Sequence, residues 1–307
     1  MQNAYAPRGL AREGAICLLL PLGTRIVTSG QSVATPEPDT DQLFWNPSGI
    51  ARAEHREFAF HTGRFFVGQM IAPAAVFPLG RAGVVGAAIS ALDFGTQETG
   101  DVNGTTGTES QQSYVLAATY AATLGPRLSA GVTYKDAITV GSCSGLCPAL
   151  SSFQGSTSAI DIGVQMGALA HNDLVVAAAL RHAGLRFQVN DEAQADPLPT
   201  RIQVGVGYRL RALEGQLPGS VLHVNTDVID LVLHPGSAAI RMGADATWRG
   251  QLSLRAGYVA GSGEGTGFAA GFGFTEGRLF GDIGRTLGGG TGGDGGGSWY
   301  FTLRGRW

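Results

Sequence analysis

The sequence predicts an all-β fold, a single antiparallel transmembrane barrel of about fourteen strands. Three observations predict it. Apolar and polar residues alternate with a period of two along many short segments, as in strands with one apolar and one polar face. Only 15% of the 307 residues are charged and 48 are glycine, which suits strongly bent, closely packed β-structure. The connections between the segments also alternate between short and long.

The last segment of the chain shows the period-two pattern most clearly. In a transmembrane barrel its aromatic-rich face would be turned to lipid and its cationic face to a polar interior. Arg304 and Arg306 lie on the cationic face. The apolar face, which we interpret as the C-terminal membrane-insertion strand, consists of Trp299, Phe301, Leu303 and Trp307.

We expect the barrel to occupy residues 55–307. Each predicted strand is an alternating segment that ends at turn-forming residues, and no run of about 18 apolar residues provides a transmembrane helix. The last strand should close the barrel by pairing with the first. In chain order the predicted strands are 57–67, 70–78, 84–94, 112–123, 128–140, 158–169, 174–187, 201–210, 221–233, 239–247, 252–260, 267–275, 279–287 and 299–307.

Short and long connections between the predicted strands largely alternate along the chain. Those after the second, fourth, sixth, tenth and twelfth predicted strands are short, and those after the third, fifth, seventh and thirteenth are long. This segregation is typical of bacterial outer-membrane barrels, whose short turns are periplasmic. An even number of strands then places both termini in the periplasm. The turns at 67–70, 215–219 and 234–237 fit the alternation less well.

The polar strand faces predict the lining of the barrel. A polar lumen accommodates arginines that a soluble core would tolerate only at a high cost in free energy. Such arginines can select anions, but more often they pair with acids as structural packing. The predicted lumen-facing residues are Arg201, Arg209, Arg241, Asp245, Arg255, Asp282, Arg285, Arg304 and Arg306.

The three cysteines indicate the redox compartment of the protein rather than a catalytic site. Cys143 and Cys147 lie four residues apart in a predicted loop. We interpret them as a small loop-stapling disulfide, which implies an oxidising compartment; the alternative is two free thiols. No Cys or His ligand set surrounds them, so no zinc site is expected.

Residues 1–54 differ from the barrel in composition and form a separate N-terminal segment. Arginines precede the apolar run Ala15–Leu22, which resembles a signal peptide. The competing interpretation is that this run is mature sequence and that the export signal is absent from this chain. Farther on, Asn46-Pro-Ser-Gly49 indicates a turn, which Phe44 and Trp45 would anchor by packing.

The residues around this turn, Phe44–Ala51, carry a family resemblance. They are similar to the Trp-Asn-Pro-Ala-Gly-Leu-Ala segment of PorV/PorQ-like outer-membrane proteins, which are relatives of the FadL-type barrels. Upstream, Leu19–Arg25 with Gly30 resembles the start of that family, and it favours Ala15–Leu22 as mature sequence. Further matches follow in the same order at 196–199, 205–208 and 254–258.

The sequence also departs from the family pattern. Thr24 and Ile26 replace alanines, and the family's paired acids correspond only to Asp39 and Asp41. The resemblance implies a fourteen-strand barrel whose N-terminal segment folds inward as a hatch. It places the hatch turn at Phe44, Trp45, Asn46, Pro47 and Gly49.

The resemblance also supplies the functional hypotheses. PorV-branch barrels act with the type IX secretion system, and the main expectation is therefore a role in protein secretion or surface attachment, with secreted cargo or secretion components as partners. FadL-branch barrels pass hydrophobic molecules through a lateral opening, and the alternative is a channel with a hydrophobic ligand. Both place the chain in the outer-membrane lipid of a Gram-negative bacterium. A soluble β-sandwich with a structural or adhesive role is the alternative from another class.

Other functions are disfavoured by the same residues. The six histidines are scattered, and no Ser, His and acid set converges as a hydrolase requires. The glycine-rich stretches 261–267 and 288–297 open no helix and lack the Gly-Lys-Ser/Thr core of a phosphate loop. A net charge of −3 indicates no nucleic-acid partner. We therefore expect no enzyme, no metal and no cofactor.

Overall fold

The computed structural model describes residues 13–65, 68–100, 106–145, 152–170, 173–189, 191–211, 218–233, 235–261, 267–288 and 297–307. Within these ranges the chain forms sixteen strands, all connected in one antiparallel sheet. Fourteen of them close into a barrel, because strand pairing runs around the whole ring. The predicted fold class is confirmed.

The barrel strands follow one another in chain order around the ring. They are β1 (Glu57–Phe65), β2 (Gly68–Pro78), β3 (Val84–Gly100), β4 (Thr106–Thr123), β5 (Leu128–Gly145), β6 (Ser152–Leu169), β7 (Leu174–Gly184), β10 (Arg201–Leu210), β11 (Ser220–Leu231), β12 (Ala239–Trp248), β13 (Leu252–Gly261), β14 (Gly267–Glu276), β15 (Leu279–Gly288) and β16 (Trp299–Arg306). The connection between β7 and β10 contains a hairpin of β8 (Phe187–Val189) and β9 (Asp191–Asp196), in which β8 pairs with β6.

The barrel closes where the last strand meets the first. β16 pairs antiparallel with β1, from Glu57 opposite Arg306 to Arg64 opposite Trp299. This pairing confirms the predicted closure. It leaves neither terminal strand with an unpaired edge, and an exposed edge would otherwise be open to association with other chains.

Four strands are longer than predicted. β3 continues to Gly100 and β4 begins at Thr106, so most of the predicted loop 95–110 is strand. β5 continues to Gly145 and β6 begins at Ser152, which shortens the predicted loop 141–157 in the same way. The predicted loop 188–199 contains β9. These extensions are polar on both faces, so they lack the alternation that predicts a strand with one apolar face.

The two faces of the barrel differ as the alternation predicts. In β10, Ile202 and Val204 are 47% and 48% exposed, whereas Arg201 and Gln203, which alternate with them, are 1% and 0% exposed. Apolar side chains on the outer surface and polar ones inside are the arrangement of a transmembrane barrel. The hydrophobic core therefore lies inside the barrel, where wall residues such as Met70 and Tyr300 pack on N-terminal residues such as Ile26.

The N-terminal segment, which we take as residues 13–53, is mostly buried and forms only short helices. They are the 3₁₀ turns Ile16–Leu19, Thr40–Phe44 and Pro47–Arg52 and the α-helical turn α1 (Thr24–Thr28). No helix in the described part of the chain is long and apolar enough to span a membrane.

Candidate functional site

The N-terminal segment packs against the inner face of the barrel, and glycines in the wall make room for its backbone. A Cβ atom at Gly243 would lie 1.9 Å from the carbonyl oxygen of Ser29, and one at Gly257 would lie 2.4 Å from the amide nitrogen of Gly30. Neither contact is compatible with a side chain. Gly131 and Gly207 meet the backbone of the segment in the same way, at Pro47 and Ala34. Gly163 and Gly271 meet side chains of the segment, those of Asn46 and Thr28.

The segment runs along the barrel from the end with long connections to the end with short turns. At the first end, the Glu13 carboxylate accepts two hydrogen bonds of 2.9 Å from Arg201, the first residue of β10. At the other end, Arg52 donates to the carbonyl of Pro126 in the turn between β4 and β5, at 3.0 Å. Trp307 follows β16 at this second end. The prediction that both termini share one side concerns residue 1, which lies outside the described residues.

The predicted turn is held by hydrogen bonds to its neighbours. Asn46 caps the helix Pro47–Arg52 by accepting from the Ser48 amide at 3.1 Å, and its Nδ2 donates to the Val33 carbonyl at 2.9 Å. The indole Nε1 of Trp45 donates to the Leu22 carbonyl at 2.6 Å. The turn residues singled out by the sequence all lie here, inside the barrel: Phe44, Trp45, Asn46, Pro47 and Gly49.

A chain of buried ion pairs joins the segment to the wall. The Arg25 guanidinium donates to the Asp39 carboxylate at 2.8 and 3.0 Å, and Asp39 also accepts from Arg304 of β16. Arg304 donates to Asp282 at 2.8 Å. Because each charge is paired at hydrogen-bonding distance, the network offsets its desolvation. It comprises, in spatial order, Arg25, Asp39, Arg304, Asp282, Arg255 and Asp245.

The pKa values of two buried acids of the segment, Asp39 and Asp41, are shifted in opposite directions. Burial alone would raise the pKa of Asp39, but Arg25 and Arg304 hold it well below its ordinary value. Burial, reinforced by the charge of Asp39, raises the pKa of Asp41 to about 7. The Asp41 carboxylate oxygens have no hydrogen-bond partner among the described residues, and the closest cation-forming group is His61, with Nδ1 at 3.8 Å. The segment therefore carries one acid that titrates near neutral pH.

A cavity lies between residues 18–22 of the segment and the inner face of the barrel. Its volume is about 100 Å³, and it is bounded by residues of β7 and of β12 to β16. Its lining combines apolar side chains with a smaller number of polar ones, as in sites that bind small organic ligands. Apolar lining residues include Leu18, Leu22, Val27, Trp45, Val259 and Ala269.

Two arginines form the cationic part of this cavity. The Cζ atoms of Arg181 and Arg241 lie 4.9 and 5.6 Å from the centroid of the Trp45 ring, which is within the range of cation–π attraction. Both guanidiniums donate to Oε1 of Gln203, at 3.2 and 3.0 Å. The charges at the cavity are thus already engaged by protein groups.

A second, smaller cavity of about 40 Å³ lies on the other side of the same stretch. Leu18, Leu20, Leu22 and Phe44 line both cavities, so this part of the segment separates them. The free thiol of Cys17 lies here, and burial raises its pKa to about 11. The thiol is therefore protonated at neutral pH and a weak nucleophile.

The predicted lumen-facing residues lie on the inner face with one exception. Arg201, Arg241, Arg255, Asp282 and Arg304 are buried, and Arg209, Asp245 and Arg306 are half-buried. The prediction for Arg285 is wrong, because it is exposed and on the same face of β15 as Ile283. Its Cζ stacks over Trp299 at 5.1 Å, so the outer aromatic rim rather than an interior acid is its partner.

The remaining predicted residues lie at the surface. Trp299, Phe301, Leu303 and Trp307 are between 40% and 61% exposed on the outer face of the last strand. Cys143 is disulfide-bonded, and Cys147 lies outside the described residues.

The described residues show no catalytic or metal centre. In the described ranges no group of three or more His, Cys, Asp and Glu side chains could hold a metal ion. Asp227, which shares a strand face with His223, accepts a hydrogen bond from the Val33 amide at 2.9 Å. It therefore anchors the segment rather than orienting a histidine for catalysis.

Sequence reasoning missed two parts of the site. The sequence of Ala15–Leu22 indicates a signal peptide or the start of the mature chain, but its leucines form a cavity wall. Arg25, Asp39 and Asp41 matched a family segment but had no assigned role. The pairing of Asp39 with Arg304 joins residues 265 positions apart, and no local spacing could have predicted it.

Fold and site together define the class of this protein, a closed fourteen-stranded transmembrane barrel with an N-terminal segment and an apolar cavity inside it. Solved structures share this fold. The toluene transporter TbuX of Ralstonia pickettii is 11% identical, with a TM-score of 0.60 over 93% of this chain and 98% of that one. The toluene transporter TodX of Pseudomonas putida is 10% identical, with a TM-score of 0.63 over 92% and 96%.

A Pseudomonas aeruginosa FadL homologue is also similar, at 9% identity and a TM-score of 0.58 over 94% of this chain and 98% of that one. The shared fold is that of the FadL-type outer-membrane barrels. Two of these three structures are toluene transporters. No family model and no curated protein sequence matches the chain, and the more specific resemblance to PorV/PorQ-like proteins is not shown.

Proposed function

We propose that this protein is an outer-membrane channel for small hydrophobic molecules. The observation that carries the proposal is the apolar cavity between residues 18–22 and the barrel wall. Its leucines and Trp45 give a ligand an environment less polar than water, and apolar transfer from water supplies the binding free energy. The names of the similar structures, toluene transporters among them, support the same class of ligand.

The N-terminal segment would act as the hatch of this channel. Residues 13–53 occupy the barrel interior and separate two cavities, so a molecule crossing the barrel has to pass or displace them. The segment contains no strand, and its helices are at most six residues long. Such a segment can shift without breaking an extended hydrogen-bond ladder.

Membrane placement follows from the same barrel. The exposed outward side chains of β10 and β16 are apolar or aromatic, and such a surface is stable against lipid. The disulfide at Cys143 fits an oxidising compartment. We therefore place the protein in a bacterial outer membrane. The secretion role that the PorV/PorQ resemblance implied has no supporting observation, and we do not propose it.

Two neighbouring alanines of β14 allow a matched test. Ala269 lines the cavity, whereas Ala270 is exposed on the outer face of the same strand. In Gram-negative cells expressing the protein, Ala269→Trp should reduce the initial rate of toluene uptake about fivefold or more, because the indole fills the cavity. Ala270→Trp should leave the rate unchanged. Equal uptake by both variants and by the native protein would contradict the proposal.

A further inference from the structure

One polar residue of the cavity wall stands out because its side chain is not engaged. His182 lies near the end of β7, is only 2% exposed and lines the cavity. Neither ring nitrogen has a hydrogen-bond partner among the described residues. Its Nδ1 lies 3.8 Å from Asp161 Oδ1, beyond hydrogen-bonding distance. Buried imidazoles without partners are uncommon, since a buried polar group is normally satisfied.

The backbone of His182 is held in an unfavourable conformation at this position. Its φ angle is +58°, in the left-handed region that non-glycine residues rarely adopt. Two hydrogen bonds fix this conformation. The His182 amide donates to Asp161 Oδ1 at 2.8 Å, and the Thr200 hydroxyl donates to the His182 carbonyl at 2.9 Å. Strain that the surroundings maintain is concentrated at ligand-binding positions.

The two charged groups of the cavity are already engaged, whereas the buried hydroxyl of Tyr300, like His182, has no hydrogen-bond partner among the described residues. Arg181 and Arg241 both donate to the side-chain amide oxygen of Gln203, and both stack on Trp45. A charged ligand group would have to compete with these contacts. An imidazole that can donate from one nitrogen and accept at the other is complementary to a neutral hydroxyl.

We propose that the cavity selects hydrophobic molecules that carry one hydroxyl group, such as alkylphenols, and that His182 forms the hydrogen bond to that hydroxyl. The apolar body of the ligand would lie against Leu18, Leu22 and Val259. This inference rests on the proposed channel function and adds the ligand class to it. A hydroxyl brought into the cavity regains the hydrogen bond that it loses on leaving water, whereas an isosteric methyl group leaves the imidazole unsatisfied.

The test compares p-cresol with p-xylene, which differ by a hydroxyl in place of a methyl group. Dissociation constants of both would be measured calorimetrically for the intact detergent-solubilised barrel and for His182→Leu. The ratio of the p-xylene constant to the p-cresol constant should fall about tenfold in His182→Leu, the usual contribution of one buried hydrogen bond. His182→Gln keeps a donor and an acceptor and should retain most of the selectivity. Val259→Ala, the matched apolar control, should weaken both ligands alike and leave the ratio unchanged.

The possible outcomes separate the inference from the function on which it rests. An unchanged ratio in His182→Leu overturns the role of His182 but leaves a hydrophobic channel in place. If p-toluate, the corresponding carboxylate, loses more affinity than p-cresol in His182→Leu, the ligand is an acid and the inference is wrong. If neither p-xylene nor p-cresol binds the native barrel, the proposed function fails together with the inference. Should His182→Leu not fold, His182→Phe decides, because it keeps a planar ring without a donor or an acceptor, and an unchanged ratio in that variant overturns the role of His182.

Discussion

Asp39 joins the N-terminal segment to the barrel through two arginines of different origin. Arg25 belongs to the same N-terminal segment, whereas Arg304 belongs to the last strand of the barrel. All three side chains are buried. A buried charge that loses one of its partners keeps the desolvation cost without the full compensation, so this cluster should control how firmly the segment is docked.

Replacing Arg25 should therefore loosen the segment and leave the barrel intact. We expect Arg25→Ala to lower the free energy of local opening of residues 13–53 by about 3–5 kcal/mol, the usual cost of breaking a buried ion pair. Native-state amide exchange measures this change segment by segment. Arg52→Ala is the control, because Arg52 is exposed and donates only to turn carbonyls. Equal exchange in the two variants would show that the ion pairs do not hold the segment.

Asp41 should make docking of the segment depend on pH. Its pKa is about 7 in the docked segment, against an ordinary value of 3.8 when solvated. The docked state therefore favours the protonated acid. Docking is strongest below about pH 4, weakens as pH rises to about 7, and changes no further above that value.

Amide exchange of residues 13–53 between pH 4 and pH 8, corrected for intrinsic rates, measures this effect. Asp41→Asn cannot ionise and should show a flatter profile than the native protein. All other ionisable groups are the same in the two proteins, so their contributions cancel in the comparison. Identical profiles would exclude Asp41 as the titrating group.

At the scale of elements, the fit between segment and barrel depends on glycines in the wall. Gly243 of β12 approaches the Ser29 carbonyl so closely that a Cβ atom would meet it at 1.9 Å. Gly281 of β15, by contrast, has no atom within 4 Å of its Cβ position. Neither glycine has a positive φ angle, so the space around each one decides the effect of a substitution.

These two glycines give a test of docking at this scale. Gly243→Ala should displace the segment, increase its susceptibility to proteolysis and lower the thermal midpoint of the barrel. Gly281→Ala should have the stability of the native protein within about 0.5 kcal/mol, as surface substitutions usually do. Limited proteolysis and thermal denaturation in detergent measure both effects. A Gly243→Ala barrel as resistant as Gly281→Ala would contradict the observed contact.

The strands also show which parts of the fold can be predicted from sequence patterns. Strands such as β10 and β16 were predictable because one face is apolar and the other polar, so alternation identifies both strand and orientation. The extensions of β3 to β6 were not, because their two faces are equally polar. Arg285 was misplaced for a related reason. Near the end of a strand, an arginine can stack on an outer tryptophan, and its charge alone does not indicate the interior.

At the scale of the whole molecule, composition, alternation and connection lengths were enough to predict a closed barrel. Its interior was less predictable. The turn at Asn46 was marked by its sequence, but the path of residues 13–45 depends on long-range contacts with separate strands. Glu13 meets Arg201 and Asp39 meets Arg304, 188 and 265 positions away. The apolar cavity arises from that path, so no local motif marks it.

We propose that the cavity beside residues 18–22 binds small hydrophobic molecules. The most direct measurement is an experimental structure of the barrel with p-bromotoluene, whose bromine can be located by anomalous scattering. We predict a bromine position between Leu22, Trp45 and Val259, with the surrounding ion pairs of Arg25 and Asp39 preserved. A barrel that is saturated with ligand and shows bromine only on its outer surface would contradict the account.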